Sequence, residues 1–255
     1  MLHNHNYLIS NKSAVALVEY TTRCNLRCTY CAVSSDSWIG KDIESNISID
    51  ITKQIIKRNP NIVAIHGHGE TTIYKDWQIV AREYLDNGIN LSICSNLSKQ
   101  YTDDEINLLA QFEHISVSID TTNPVVFSEL RKGSKLDRVL NNIKLIKKKA
   151  ANNNNNLYMT WSMVCCDKTI FDLCNSVKQG IELGIQGFTI SNLTIDDSIS
   201  NVGVKHVSDF HIDDCIKSLN ELKKLQQLCM NHNVSCDIKA GLFDTLNARI
   251  NVKKI

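Results

Sequence analysis

Apolar positions along the chain follow two different periods. Short apolar or alternating runs predict six strands: "AVALVEY" at 14–20, "NIVAIH" at 61–66, "INLSIC" at 89–94, "HISVSID" at 114–120, "LYMTWSMV" at 157–164 and "IQGFTIS" at 185–191. Between them, stretches at 49–58, 75–87, 102–112, 135–151 and 169–183 carry the three-and-four spacing of amphipathic helices. The third begins "TDDE", so Thr102 caps it and Glu105 reaches back, while Gly88 and Gly184 sit just past two others, where a left-handed residue ends a helix. A helix in every connection predicts parallel strands joined by right-handed crossovers, with the helices outside. The class is therefore α/β, and the sheet curls towards an open or closed barrel.

The pattern changes near the end. Residues 210–231 read as one amphipathic helix with Ile216, Leu219, Leu222 and Leu225 on its apolar spacing. The expected division is a core barrel over 1–195 and a C-terminal extension over 196–255 that packs on the barrel and closes its substrate side. Residues 198–209 are expected to form a mobile loop at the mouth, and "NNNNN" at 152–156 an exposed loop.

Composition narrows the partners. A formal net charge of +1 over 255 residues gives no basic footprint for nucleic acid or an anionic membrane. No apolar run approaches the roughly 20 residues needed to span a bilayer, and "MLHNHNYLIS" lacks the order of a secretory signal, so the expected location is the cytoplasm. In that compartment ten cysteines are not a disulfide framework, and a clustered subset points to metal or redox chemistry. The dispersed ones, Cys94, Cys165, Cys166, Cys174, Cys215, Cys229 and Cys236, are expected to be mostly core residues.

Ligands in such sheets sit at the carboxyl ends of the strands, and the first strand runs directly into "TTRCNLRCTYCAV". Cys24, Cys28 and Cys31 can reach one metal centre, and sulfur ligands select zinc or an iron–sulfur cluster. Structural zinc requires a fourth protein ligand, for which His66 and His68 are the nearest candidates. A four-iron cluster held by three cysteines instead leaves one iron open.

Here the sequence resembles the radical S-adenosylmethionine (radical SAM) superfamily, whose CxxxCxxC motif with an aromatic residue before the third cysteine is matched by Cys24, Cys28, Tyr30 and Cys31. The second strand ends in "IHGHGETT", similar to the family's glycine-glycine-glutamate segment, with Gly69 and Glu70 matching and His68 in place of the first glycine. The resemblance further implies cofactor contacts from Tyr30, from Ser95 and Asn96 after the third strand, and from Ser118 and Asp120 on the fourth. Strand periodicity puts Thr160 and Ser162 of the fifth strand on one face, towards the barrel interior, as further candidate cofactor contacts, with Trp161 turned to the helices. His68 is the candidate for a catalytic role. The segment from Asn123 to Lys149 resembles the subgroup of molybdenum-cofactor cyclases and peptide-maturing enzymes, and its basic run, from Arg131 and Lys132 to Lys149, is expected to be a solvated helix face.

The resemblance implies a partial (β/α)6, TIM-like barrel that binds one 4Fe-4S cluster and S-adenosylmethionine. It implies reductive cleavage of that cofactor to a 5′-deoxyadenosyl radical, and hydrogen abstraction from a small-molecule or peptide substrate. An electron donor such as flavodoxin or ferredoxin is the implied partner. One alternative is an activase that makes a glycyl radical in a partner protein, for which Trp38 downstream of the triplet speaks. The other is a zinc-binding structural module.

Overall fold

Seven strands, all parallel, lie in sequence order in one sheet: β1 (Val15–Leu17), β2 (Ile62–Ala64), β3 (Asn90–Ser95), β4 (His114–Ser118), β5 (Tyr158–Cys165), β6 (Gly187–Asn192) and β7 (Ser235–Ile238). The structure is a computed structural model and describes residues 15–194 and 203–251. The order ends at β1 and β7, which do not pair, so the barrel is open. The outer layer is α1 (Ser45–Arg58), α2 (Trp77–Asp86), α3 (Asp103–Leu109), α4 (Pro124–Leu130), α5 (Leu136–Asn152), α6 (Leu173–Glu182), α7 (Ile212–Asn231) and α8 (Ala240–Asn251).

Burial alternates along β5 and shows which face meets the helices. Met159, Trp161, Met163 and Cys165 are buried, and Trp161 lies edge-on to Phe188 of β6 at 5.8 Å. Both rings press on α6 at Gly180, where a Cβ would come within 2.9 Å of Trp161 and 2.7 Å of Phe188. Thr160 and Ser162 therefore take the opposite, concave face, as period two requires. The main core fills the space between sheet and helices and includes Trp77, Tyr84, Phe112 and Phe127.

Helix ends follow their sequence signals. Thr102 accepts the Glu105 amide while Glu105 reaches back, completing the capping box of α3. Asn123 caps α4 by accepting the amides of Val125 and Val126, with Pro124 in the first turn. The basic run divides: Lys132, Lys135, Arg138, Lys144 and Lys148 are exposed, but Arg131 is buried at the end of α4.

The C-terminal part extends the sheet. α7 is the crossover from β6 to β7 and packs beside α6 and α8. Its buried stripe is Cys215, Ser218, Leu222, Leu225 and Cys229, while Ile216 is 44% exposed, so the apolar face is rotated from the expected one. β7 adds a seventh strand to the expected six; "SCDI" alternates polar with half-buried residues on an edge and so lacks an apolar signal. Of the loop expected at 198–209, residues 198–202 lie outside the described residues, and Val207–Asp209 form a single 3-10 turn. Among the described residues no helix is long and apolar enough to cross a membrane.

Candidate functional site

The cysteine loop leaves β1 and is tied down on two sides. The amides of Arg27 and Thr29 donate to the carbonyls of Lys132 and Leu130 at 3.0 and 2.9 Å, fixing it to the end of α4, and the Trp38 indole donates to Thr22 O at 2.9 Å. Cys28 is buried, whereas Cys24 and Cys31 are half-buried. All three line one cavity of about 150 Å³ at the carboxyl ends of the strands.

The loop after β2 forms the second wall. A Cβ at Gly69 would lie 2.2 Å from Thr21 O and 2.6 Å from Arg23 O, so the absence of a side chain lets this loop rest on the backbone leading into Cys24. The Glu70 amide seals the contact by donating to Arg23 O at 2.8 Å. The Glu70 side chain is buried and accepts four hydrogen bonds: Thr72 N at 3.2 Å, Thr72 Oγ1 and Ser95 Oγ at 2.8 Å on one oxygen, and Asn96 N at 2.8 Å on the other. Glu70 thus couples the loops after β2 and β3. Asn96 carries the link on, with Nδ2 directed to Asn25 Oδ1 at 3.0 Å and Cys24 Sγ at 3.7 Å.

His68 occupies its position without strain, because residues 67–69 are absent from the positive-φ positions. Its amide and that of Gly69 both donate to Glu19 Oε1, the latter at 3.2 Å, and Glu19 lies flat across Gly67, where a Cβ would come within 2.2 Å of its carboxylate. The His68 side chain is 65% exposed and faces the Trp38 ring at 5.5 Å.

A buried charge cluster backs the third wall. Arg131 donates through Nε and Nη2 to the two Asp120 oxygens, both at 2.8 Å, and the Tyr30 hydroxyl donates to the same carboxylate. The guanidinium lies 5.8 Å from the Tyr30 ring centre and lines the cavity. Burial pushes the Cys24 thiol up to about 11 and raises Cys28 as well, the latter against the pull of Arg131.

The donor set is three thiols lining one cavity, with the Leu26 amide directed at Cys24 Sγ at 3.4 Å; sulfur ligands and an amide hydrogen bond to one of them fit an iron–sulfur group.

Of the residues expected here, Tyr30, His68, Gly69 and Glu70 line the cavity with the cysteines, as do Ser95, Asn96 and Ser118. Asp120 stands behind the lining with both oxygens occupied, and Thr160 and Ser162 lie elsewhere on the concave face. Polar residues that escaped the sequence reading include Glu19, Arg131 and Cys94, the last lining the cavity with its thiol 3.5 Å from Ser118 Oγ. Glu19 carried a signal, an acid at the carboxyl end of an apolar strand; Arg131 was masked by the basic run around it.

Comparison with known proteins agrees with this geometry. Residues 18–162 match the family described as the Radical SAM superfamily. A protein of Methanocaldococcus jannaschii described as a probable GTP 3′,8-cyclase is 27% identical over 139 residues, covering 50% of this chain and 43% of that one. In structure, Streptococcus suis SuiB bound to S-adenosylmethionine superposes with a TM-score of 0.70 at 16% identity, over 91% of this chain and 52% of that one. Native anSMEcpe with bound AdoMet and the Cp18Cys peptide gives 0.66 at 17%, over 88% and 63%. The chain thus spans about half the length of the first of these relatives, and the structural likenesses speak to the fold.

Proposed function

The chain belongs to the radical SAM superfamily, and from that premise we propose that it is an enzyme holding one 4Fe-4S cluster on Cys24, Cys28 and Cys31, with S-adenosylmethionine beside it. When bound, that pair supplies a 5′-deoxyadenosyl radical able to take hydrogen from a small-molecule or peptide substrate. The observation that carries this reading is the docking of the "GHGE" loop on the backbone entering the cysteine loop, which puts three thiols and a polar wall around one cavity.

The chain's own residues have separable tasks. Glu70 and Asn96 lock the loops after β2 and β3 against Cys24, so the cofactor meets a rigid wall. Gly69 lets the backbone approach closely. Arg131, held in one orientation by Asp120, presents positive charge to an incoming carboxylate, and the Ser118 hydroxyl lies beside it in the lining. The barrel wall behind the cavity limits water and competing hydrogen donors. Flavodoxin or ferredoxin as electron source, and a cytoplasmic setting, belong to the same proposal.

Anaerobic reconstitution tests it. The expected product holds about four irons and four acid-labile sulfides per chain, and with dithionite converts S-adenosylmethionine to 5′-deoxyadenosine, while Cys28→Ala does neither. One zinc and no labile sulfide, or equal 5′-deoxyadenosine from wild type and variant, would overturn it.

A further inference from the structure

Glu19, two residues beyond β1, carries a charge that the rest of the chain does not neutralise. Its Oε1 accepts the amides of His68 and Gly69, the latter at 3.2 Å, and lies 3.9 Å from His68 Nδ1. Among the described residues no lysine or arginine lies within ion-pair distance of it, and its other oxygen accepts no hydrogen bond. The two amides belong to the peptide units joining residues 67 to 68 and 68 to 69. No peptide bond among the described residues is cis, so each carbonyl points opposite to its own N–H, away from Glu19. Neither the Gly67 nor the His68 carbonyl accepts a hydrogen bond from the described chain.

Gly67, His68 and Gly69 line the cysteine cavity and Glu19 does not, so the carbonyl side of this loop is the side open to a ligand. A carboxylate on the N–H side of a peptide unit polarises it and strengthens its carbonyl as an acceptor. The loop therefore offers two free acceptors backed by a full negative charge, which suits a cation with several N–H donors. Glu70, next along the loop, is already engaged by four donors from Thr72, Ser95 and Asn96. Arg131 in another wall of the cavity carries the opposite sign. The ammonium and carboxylate of an α-amino acid fit such a pair of walls.

We propose that Glu19 is a positioning residue for the cofactor: acting through the peptide units of residues 67–69, its charge sets the affinity for the ammonium group of S-adenosylmethionine. The proposal rests on the cofactor reading above and adds to it a residue that stands outside the cavity.

Glu19→Gln separates the charge from the scaffold. The glutamine carbonyl oxygen still accepts both amides, and its NH2 replaces the oxygen that has no partner. A purely structural Glu19 therefore predicts wild-type behaviour from this variant.

The test is equilibrium binding, to reconstituted protein with its cluster oxidised, of S-adenosylhomocysteine and, separately, of its deamino analogue, which lacks only the ammonium. Wild type is expected to prefer S-adenosylhomocysteine by at least tenfold. Glu19→Gln should cut that preference about tenfold by weakening S-adenosylhomocysteine alone, the order expected of one partly screened charge across a peptide unit. Its iron content should equal that of wild type; a loss would mean that the charge holds the loop itself, which overturns the proposal. Preference retained in the variant, equal weakening of both ligands, or no preference in wild type would overturn it too. Binding of neither ligand, with no acid-labile sulfide, would refute the cofactor reading and this proposal with it, so the two failures are distinguishable.

Discussion

Arg131, in the lining of the cysteine cavity, grips Asp120 behind it through two parallel hydrogen bonds of 2.8 Å, and both side chains are almost wholly buried. The pair joins the end of β4 to the end of α4, and Asp120 also accepts the amide of Val164 at 3.0 Å on β5. Three elements and the Tyr30 hydroxyl thus converge on one carboxylate. Removing one charge of such a pair leaves the other buried and uncompensated, so Asp120→Asn should destabilise the fold by about 3–5 kcal/mol. Urea denaturation measures this. The double variant Asp120→Leu, Arg131→Met should recover part of the loss, and a single variant no less stable than wild type would show that the pair does not hold these elements together.

Gly69 and His68 predict opposite outcomes in adjacent positions. A methyl at Gly69 would collide with backbone carbonyl oxygens, which have no rotamer by which to move aside, so Gly69→Ala should push the loop off the segment entering Cys24. Iron content after reconstitution should fall severalfold and thermal stability with it. His68→Gly keeps the amide that donates to Glu19 and removes an exposed ring that stands beside Trp38, with Nδ1 3.9 Å from Glu19 Oε1. Its iron content should match wild type, with a stability change within about 1 kcal/mol, the backbone entropy of the added glycine. The reverse ranking of the two variants would contradict this account.

That contrast also shows what the sequence made legible. The cysteine spacing and "GHGE" placed the site at the carboxyl ends of β1 and β2, and periodicity put Trp161 and Thr160 on opposite faces, because these are local signals. Arg131 looked like one more exposed base among Lys132, Lys135 and Arg138; its burial depends on Asp120, eleven positions earlier, which only the fold brings beside it. Cys94 was indistinguishable from a core thiol until the register of β3 turned it to the cavity. β7 was hidden because an edge strand needs no continuous apolar run.

Glu70 has all its visible hydrogen bonds inside the chain, and this fixes what a neutral isostere should do. Glu70→Gln replaces one acceptor oxygen with a donor, which must face either the Asn96 amide or the Thr72 amide together with the Thr72 and Ser95 hydroxyls. The hydroxyls can rotate to accept but neither amide can, so the NH2 should turn to the side with the longer amide contact, 3.2 Å at Thr72 N, and the loss should be about 1–3 kcal/mol. Urea midpoints measure it. A much larger loss would mean that the carboxylate charge itself holds the two loops.

The half-buried imidazoles of His66 and His114 predict a stability that depends on pH in a definite direction. Burial lowers the pKa of His66, and it lowers that of His114 together with the repulsion of His66, against a smaller opposing pull from Glu113. Unfolded histidine takes up its proton near pH 6.5, while the folded pair resists it to lower pH. In that window the unfolded chain binds more protons than the folded one, so this contribution is full above about pH 6.5 and is lost as pH falls towards the folded values. His114→Gln keeps a partner for Ser92 and Thr160 and removes one titrating group, so the fall in urea midpoint between about pH 7.5 and 5.5 should be shallower than in wild type. Parallel curves for the two proteins would show that His114 is not held neutral by its surroundings.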